Sequence, residues 1–158
     1  MNYKYLVFFL VIISTSFFAQ SKKEVKKFKI KSSSVTSTEN GKTQNEGKLV
    51  FDASGNIIEK TDYNKEGQIK SINRIKYNSD GDDIEDNQYD GTNKLIEKTL
   101  TKYNADGDKI EEVVFDADSK IIKKHIFIYN NKGLKLERKT FDPLGKLIST
   151  KLYTYSFK

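Results

Sequence analysis

The residues of this sequence that could do chemistry are few, and their spacing argues against catalysis. His125 is the single histidine and cysteine is absent. An imidazole–thiolate metal set or a nucleophile–base pair therefore has no second member. No Gly-x-Ser-x-Gly elbow, phosphate-binding glycine loop or dinucleotide fingerprint occurs. The densest acidic stretches are Asn78-Ser79-Asp80-Gly81-Asp82-Asp83 and Asn104-Ala105-Asp106-Gly107-Asp108. They suggest calcium, because an EF-hand loop places acidic oxygens first, third and fifth and Gly sixth. Aligned on Gly81 and Gly107, such a loop would start at Lys76 and Lys102 and close at Asn87 and Val113, where it needs carboxylates. Solvated turn residues are the expectation, with weak surface binding of calcium by Asp80, Asp82 and Asp83 as the alternative. Glu111-Glu112 would serve acid–base chemistry only inside a cleft; on a sheet they balance lysines of neighbouring strands. His125 is expected on a strand surface, on the face of Phe127 and Tyr129. No cofactor, metal or catalytic residue is assigned, and a hydrolase is the least favoured function.

Two groups point instead to binding. Lys22, Lys23, Lys26, Lys27, Lys29 and Lys31 form the clearest charge cluster. They would attract anionic partners such as cell-wall polymer, lipopolysaccharide, acidic glycan or nucleic acid. The preferred reading is protection of a first strand's edge against sheet-to-sheet aggregation. The other group is the row Tyr77, Tyr103 and Tyr129, one repeat apart, the candidate binding surface.

The elements that position that row follow from a periodicity. Phe51, Tyr63, Tyr77, Tyr89, Tyr103, Phe115, Tyr129, Phe141 and Tyr155 are separated alternately by 12 and 14 residues, a period of 26. Eight of these nine slots are followed by Asp or Asn; Tyr155 is followed by Ser156. Extending the period backward reaches Ser37, a slot that has lost its aromatic. Four residues after the slots stand Gly41, Gly55, Gly67, Gly81, Gly107, Gly133 and Gly145, with Asn93 and Ser119 in the two other cases. Asp or Asn opens a type I turn through its side chain, and Gly takes positive φ as a bulge. Segments such as Leu95–Tyr103 and Lys109–Phe115, rich in Ile, Thr, Val, Tyr and Phe, are the strands between.

This turn geometry places each slot aromatic opposite the residue six positions later. Phe51, Tyr63, Tyr89, Phe115 and Phe141 then face Ile57, Ile69, Leu95, Ile121 and Leu147. Tyr77, Tyr103 and Tyr129 face Asp83, Lys109 and Lys135. The aliphatic pairs of Tyr63, Tyr89, Phe115 and Phe141 fall at one end of the sheet, which should be the better buried. Ile84, Ile96, Leu100, Ile110, Ile122, Ile126, Leu136, Ile148 and Leu152 form an aliphatic stripe on the opposite face. Two mixed faces do not suit a sandwich. The expected fold is all-β: an antiparallel up-and-down meander of tandem hairpins, eight or nine strands in a coiled single sheet or open solenoid. A small closed barrel is the alternative. No helical periodicity is seen anywhere beyond residue 19.

The units Phe51-Asp52-Ala53-Ser54-Gly55-Asn56-Ile57-Ile58 and Phe127-Ile128-Tyr129-Asn130-Asn131-Lys132-Gly133 resemble the YD repeat of the RHS family. That resemblance implies coiled β-hairpin shells in secreted or surface proteins, with contacts to carbohydrate and cell surfaces. It covers the chain from about Ser37 onward. The strict alternation of spacing departs from the family, and about five repeats are too few to enclose cargo. The pattern is similar, more weakly, to MORN-type repeat proteins.

Composition bounds the rest. The 158 residues carry a net charge of +6, 9 Tyr and 10 Phe, and no Cys or Trp. Lys4, the apolar run Leu6–Ile13 and the small residues Ser14, Ser16 and Ala19 read as a secretory signal, cut after Ser16 or Ala19. The run is short of the ~20 apolar residues a membrane span needs, though an uncleaved anchor is the alternative. The domain reading is a signal peptide at 1–19, a Lys-rich N-terminal segment and first strand at 20–36, and the hairpin repeats at 37–158. The expected protein is exported (periplasmic, outer-surface or secreted) and non-enzymatic, with no transmembrane segment after cleavage and no dedicated nucleic-acid site. It binds or scaffolds an envelope polymer, glycan or protein through its sheet surface. Leu147, Ile148, Leu152, Tyr153, Tyr155 and Phe157 make an apolar last strand, where self-association is the second expectation.

Overall fold

One turn, repeated, builds the molecule. In the computed structural model, which describes residues 21–158, the Gly55 N–H donates to the Asp52 carbonyl at 3.1 Å and the Asp52 N–H to the Asn56 carbonyl at 2.9 Å. The Asp52 Oδ1 accepts from the N–H groups of Ser54 and Asn56, both at 2.8 Å. The same bonds recur at Asn64, Asn78, Asp90, Asn104, Asp116, Asn130 and Asp142. The fourth residue after each slot is left-handed, including Asn93 at φ 66° and Ser119 at φ 64°. The Ser37 slot is different. Asn40 and Gly41 both have positive φ and form a two-residue loop between Glu39 and Lys42, the mirror-image turn that suits a tight hairpin.

The turns join ten strands: β1 (Ser32–Glu39), β2 (Lys42–Phe51), β3 (Ile57–Tyr63), β4 (Ile69–Tyr77), β5 (Asp83–Asp90), β6 (Leu95–Tyr103), β7 (Lys109–Asp116), β8 (Ile121–Tyr129), β9 (Lys135–Phe141) and β10 (Leu147–Leu152). They lie in sequence order in one antiparallel sheet. All eight facing pairs expected from the turns are found, from Phe51 opposite Ile57 to Phe141 opposite Leu147. The strands number ten, not eight or nine. The sheet is open, because β1 pairs only with β2 and β10 only with β9. That rules out the closed barrel; closure would require these two outer strands to meet.

The N-terminal segment differs from the strand expected there. Lys22–Phe28 is a helix, α1, and β1 begins only at Ser32. The cause is a capping box: the Glu24 N–H donates to Ser21 Oγ and the Ser21 N–H to Glu24 Oε2. Lys22, Lys23, Lys26 and Lys27 ride on α1, Lys29 ends it in a left-handed conformation, and Lys31 precedes β1. The edge strand is therefore rich in Ser and Thr, and the lysines do not guard it as a strand. The signal peptide assigned to 1–19 lies outside the described residues.

The sheet has no second layer, so its core is thin. Val25, Leu49, Ile72, Val114 and Phe127 are the buried apolar residues, joined by Thr61, Thr101 and Thr140. Every hairpin after the first also carries one extra residue. Phe51 faces Ile57 but Val50 faces Glu59, which leaves Ile58 without a partner across the turn. The equivalents are Lys70, Ile84, Ile96, Ile110, Ile122, Leu136 and Ile148. Six members of the expected aliphatic stripe are these bulge residues, and they stand exposed. The end expected to be better buried is not. Ile69, Ile121 and Leu147 there are 40%, 45% and 48% exposed, because no other layer covers them.

Unequal strands explain the alternating spacing. β4, β6 and β8 have 9 residues each, against 7 for β3 and β9. At the end where Phe51, Tyr77, Tyr103 and Tyr129 turn, called here the tyrosine end, pairing between successive hairpins stops early. The last pairs are Glu59 with Arg74, Glu85 with Leu100 and Glu111 with Ile126. At the opposite end pairing runs out to Ser71 with Asp90 and Glu97 with Asp116.

Candidate binding surface

The gaps at the tyrosine end are bridged by the tyrosines themselves. Tyr77 Oη donates to the Ile57 carbonyl at 2.9 Å, Tyr129 Oη to that of Lys109 at 2.8 Å, and Tyr155 Oη to that of Lys135 at 2.8 Å. Tyr103 Oη donates to the Asp83 carbonyl at 3.1 Å and also to its carboxylate. Each reaches back 20 residues to the first residue of a strand in the preceding hairpin. The row Tyr77, Tyr103 and Tyr129, expected as an open binding surface, is thus half-buried, with its hydroxyls used as clasps. Burial pushes all three hydroxyls above the ordinary tyrosine range. At Tyr103 the bond to Asp83 and its negative charge add to burial.

What remains open is the space between the clasped hairpins. Three grooves lie there, each walled by consecutive turns. The first lies between Ile58 and Tyr77, the second between Ile84 and Tyr103, the third between Ile110 and Tyr129. Their volumes are about 700, 700 and 580 Å³. The aliphatic member is the unpaired bulge residue, and Ile58, Ile84 and Ile110 are 36%, 37% and 36% exposed. Each groove is the previous one moved along by one repeat. Neighbouring grooves are two strands apart, roughly 9.6 Å at ordinary strand spacing.

The charges of the sheet and of the grooves are arranged differently. On the strands, Glu85 binds Lys76 at 2.9 Å and Lys98 at 3.5 Å. One repeat later Glu111 binds Lys102 at 2.8 Å and Lys124 at 2.7 Å. The bonds to Lys102 and Lys124 hold Glu111 below the usual carboxylate range. Burial pulls Glu85 upward, but Asn87, Lys76 and Lys98 together hold it below. Glu111 thus balances lysines of neighbouring strands as expected, whereas Glu112 pairs at 2.8 Å with Lys109 of its own strand. In the turns, by contrast, Asp80, Asp82, Asp106 and Asp108 have no Lys, Arg or His partner within 4.0 Å among the described residues. Asp83 is turned to Tyr103 and lies 3.8 Å from Lys109. Asp82 Oδ2 accepts from Asn78 Nδ2 at 3.1 Å. Among the described residues no three acidic or imidazole side chains converge on one point, so Asp80, Asp82 and Asp83 do not form a calcium cage.

No family model matches this chain, and no curated protein matches it in sequence. Solved structures resemble it in shape. A Bacteroides fragilis protein of unknown function is 14% identical, with a TM-score of 0.42 over 77% of this chain and 91% of that one. TarM is 18% identical at a TM-score of 0.32, covering 80% of this chain and 22% of that chain. A GtfA/B complex is 12% identical at 0.31, covering 69% and 24%. This chain therefore spans less than a quarter of TarM, and likeness of this degree assigns no activity.

The remaining site residues fall as follows. His125 Nδ1 lies 2.9 Å from Thr140 Oγ1 across β8 and β9. Burial, with Arg138 nearby, pushes its pKa down. It is the strand-surface residue expected. Lys22 and Lys26 line the first groove, a placement that a strand there would have excluded. The pattern Ser21-Lys22-Lys23-Glu24 carried the capping signal for this helix. The groove floor also had a signal. The residue seven after each slot from Phe51 to Phe141 is Ile or Leu at every turn but Lys70.

Proposed function

We propose that the protein is an exported, non-enzymatic binding or scaffolding module of the cell envelope that holds an extended partner along its tyrosine end. The observation that carries this reading is the translational identity of the three grooves, each with an exposed aliphatic residue beside a clasped tyrosine. Repeated subsites favour a repetitive or elongated ligand (glycan, envelope polymer or peptide) over a single small molecule, because linked contacts raise affinity without new chemistry. Export rests on the basic start and apolar run of the N-terminus. The test compares ligand monomers with oligomers by calorimetry. Affinity should rise about ten- to a hundredfold with oligomer length, and Ile84→Lys with Ile110→Lys should remove the gain. Equal affinity for monomer and oligomer, or a gain that survives both substitutions, would overturn the reading.

A second reading is self-assembly through β10. Its support is exposure: Ile148, Leu152 and Phe157 are 57%, 72% and 78% exposed beside a strand with one free edge. Light scattering that reports a monomer at every concentration would exclude it.

A further inference from the structure

The chain itself reaches across one of the three grooves, and the residue it places there is informative. Lys22 of α1 lies across the first groove from wall to wall. A Cβ placed on Gly55 would stand 2.8 Å from the Lys22 carbonyl oxygen, and one placed on Gly81, in the next turn, 3.7 Å from its Nζ. Lys26, one helical turn on, lines the same groove. α1 is anchored beside that groove through Val25, which is 2% exposed and lies near Val50, Phe51 and Ala53. The second and third grooves are the first displaced by one and two repeats, but no lysine of α1 lines them. Their walls place the acids differently, and Asp52 of the first is Asn78 in the second and Asn104 in the third. Ser54 and Asn56 of the first groove become Asp80 and Asp82 in the second and Asp106 and Asp108 in the third. Those four carboxylates have no cationic partner among the described residues, while Glu85 and Glu111 on the strands hold two each.

We propose that the second and third grooves bind the lysine side chains of a basic segment of a partner protein, seated as Lys22 and Lys26 are seated in the first. The lysine stem packs on Ile84 or Ile110, and its ammonium group meets the unpaired turn carboxylates. The inference rests on the reading of the tyrosine end as a binding surface and names the ligand for it. It excludes polyanions at these two grooves, since Asp80, Asp82, Asp106 and Asp108 repel them.

The experiment follows amide chemical shifts of the full chain. The probe is a synthetic peptide with the sequence of residues 21–31, and the control is the same peptide with every Lys replaced by Gln. At low salt the lysine peptide should shift Gly81, Ile84, Gly107 and Ile110 in a saturable way, and the control should not. Asp106→Asn with Asp108→Asn should weaken binding at the third groove about tenfold, and salt near 0.5 M should abolish it. The Asp106 side chain makes no hydrogen bond in its turn, and the Asp108 carboxylate accepts one weak bond of 3.4 Å, so the fold tolerates both changes. No shift with the lysine peptide, equal shifts with the control, or binding unaffected by the two substitutions would overturn the proposal. So would calcium alone producing the shifts while the peptide does not. A neutral N-acetylglucosamine oligomer serves as the third probe. If it shifts the grooves and the peptide does not, the lysine proposal falls and the binding surface stands; if neither does, both fall.

Discussion

Single residues separate the jobs of this repeat. Tyr103 looked from the sequence like an exposed contact residue because its facing partner is Lys109, a charge. Its real partner, the Asp83 carbonyl, depends on how one hairpin meets the next, and no local pattern encodes that. Tyr103→Phe should cost about 1 kcal/mol in urea unfolding, the net worth of one hydrogen bond. The same clasps set an alkaline limit. The hydroxyls of Tyr77, Tyr103 and Tyr129 have pKa values raised by folding, so their contribution is complete below the ordinary tyrosine value of about 10 and is lost as pH climbs beyond it. Urea midpoints should hold up to about pH 10 and fall progressively above it; a triple Tyr→Phe variant with the same fall would refute the clasp as its source. Glycines divide similarly. Gly107 has φ +82° and open space around it, so Gly107→Ala should cost about 1 kcal/mol through backbone strain alone. Gly91 lacks positive φ, but a Cβ there would collide with the Ile69 carbonyl oxygen. Gly91→Ala should therefore cost more, roughly 1–3 kcal/mol, a ranking that thermal melts of the two variants would check.

At the level of elements, the turns and strands were the legible part. Asp or Asn at the first turn position and Gly at the left-handed one act within a few residues, so their spacing carried the register of eight hairpins. α1 was missed because seven residues give almost no helical periodicity, with Val25 its one buried side chain. The burial difference between the two ends was misjudged for another reason. Facing aliphatics bury each other only when something covers them, and a single sheet offers nothing above Ile69, Ile121 or Leu147. The strands are also tied by their charges. Glu111 bridges β6 and β8 through Lys102 and Lys124. Its pKa is lowered in the fold, so its contribution is present above the unfolded carboxylate value and is lost as pH falls through the folded one. Glu111→Gln should destabilise by about 0.5–1 kcal/mol at neutral pH, an exposed-pair magnitude, and by nothing at low pH. Denaturant titrations at both pH values would show this, and an equal loss at each would assign the effect to packing.

The whole molecule is a row of hairpins that touch only their neighbours. Apart from α1, the hydrogen bonds between hairpins reach back no more than 20 residues, and the ion pair of Lys109 with Asp83 reaches one repeat. This connectivity has a consequence for the order in which the structure is made. A chain crossing a membrane or leaving a ribosome N-terminus first can close each hairpin as it emerges, since nothing it needs is still to come. It can also lose a unit without losing the plan. Removing the 26 residues from Asn78 to Tyr103 would join Tyr77 directly to Asn104, and Tyr129 would then clasp Lys109 beside Tyr77 in place of Tyr103. The shortened chain should fold with two strands and one groove fewer, and circular dichroism of that deletion protein is the measurement. The unit of this protein's variation is therefore the paired hairpin, so its length can be edited in whole repeats while its chemistry is kept.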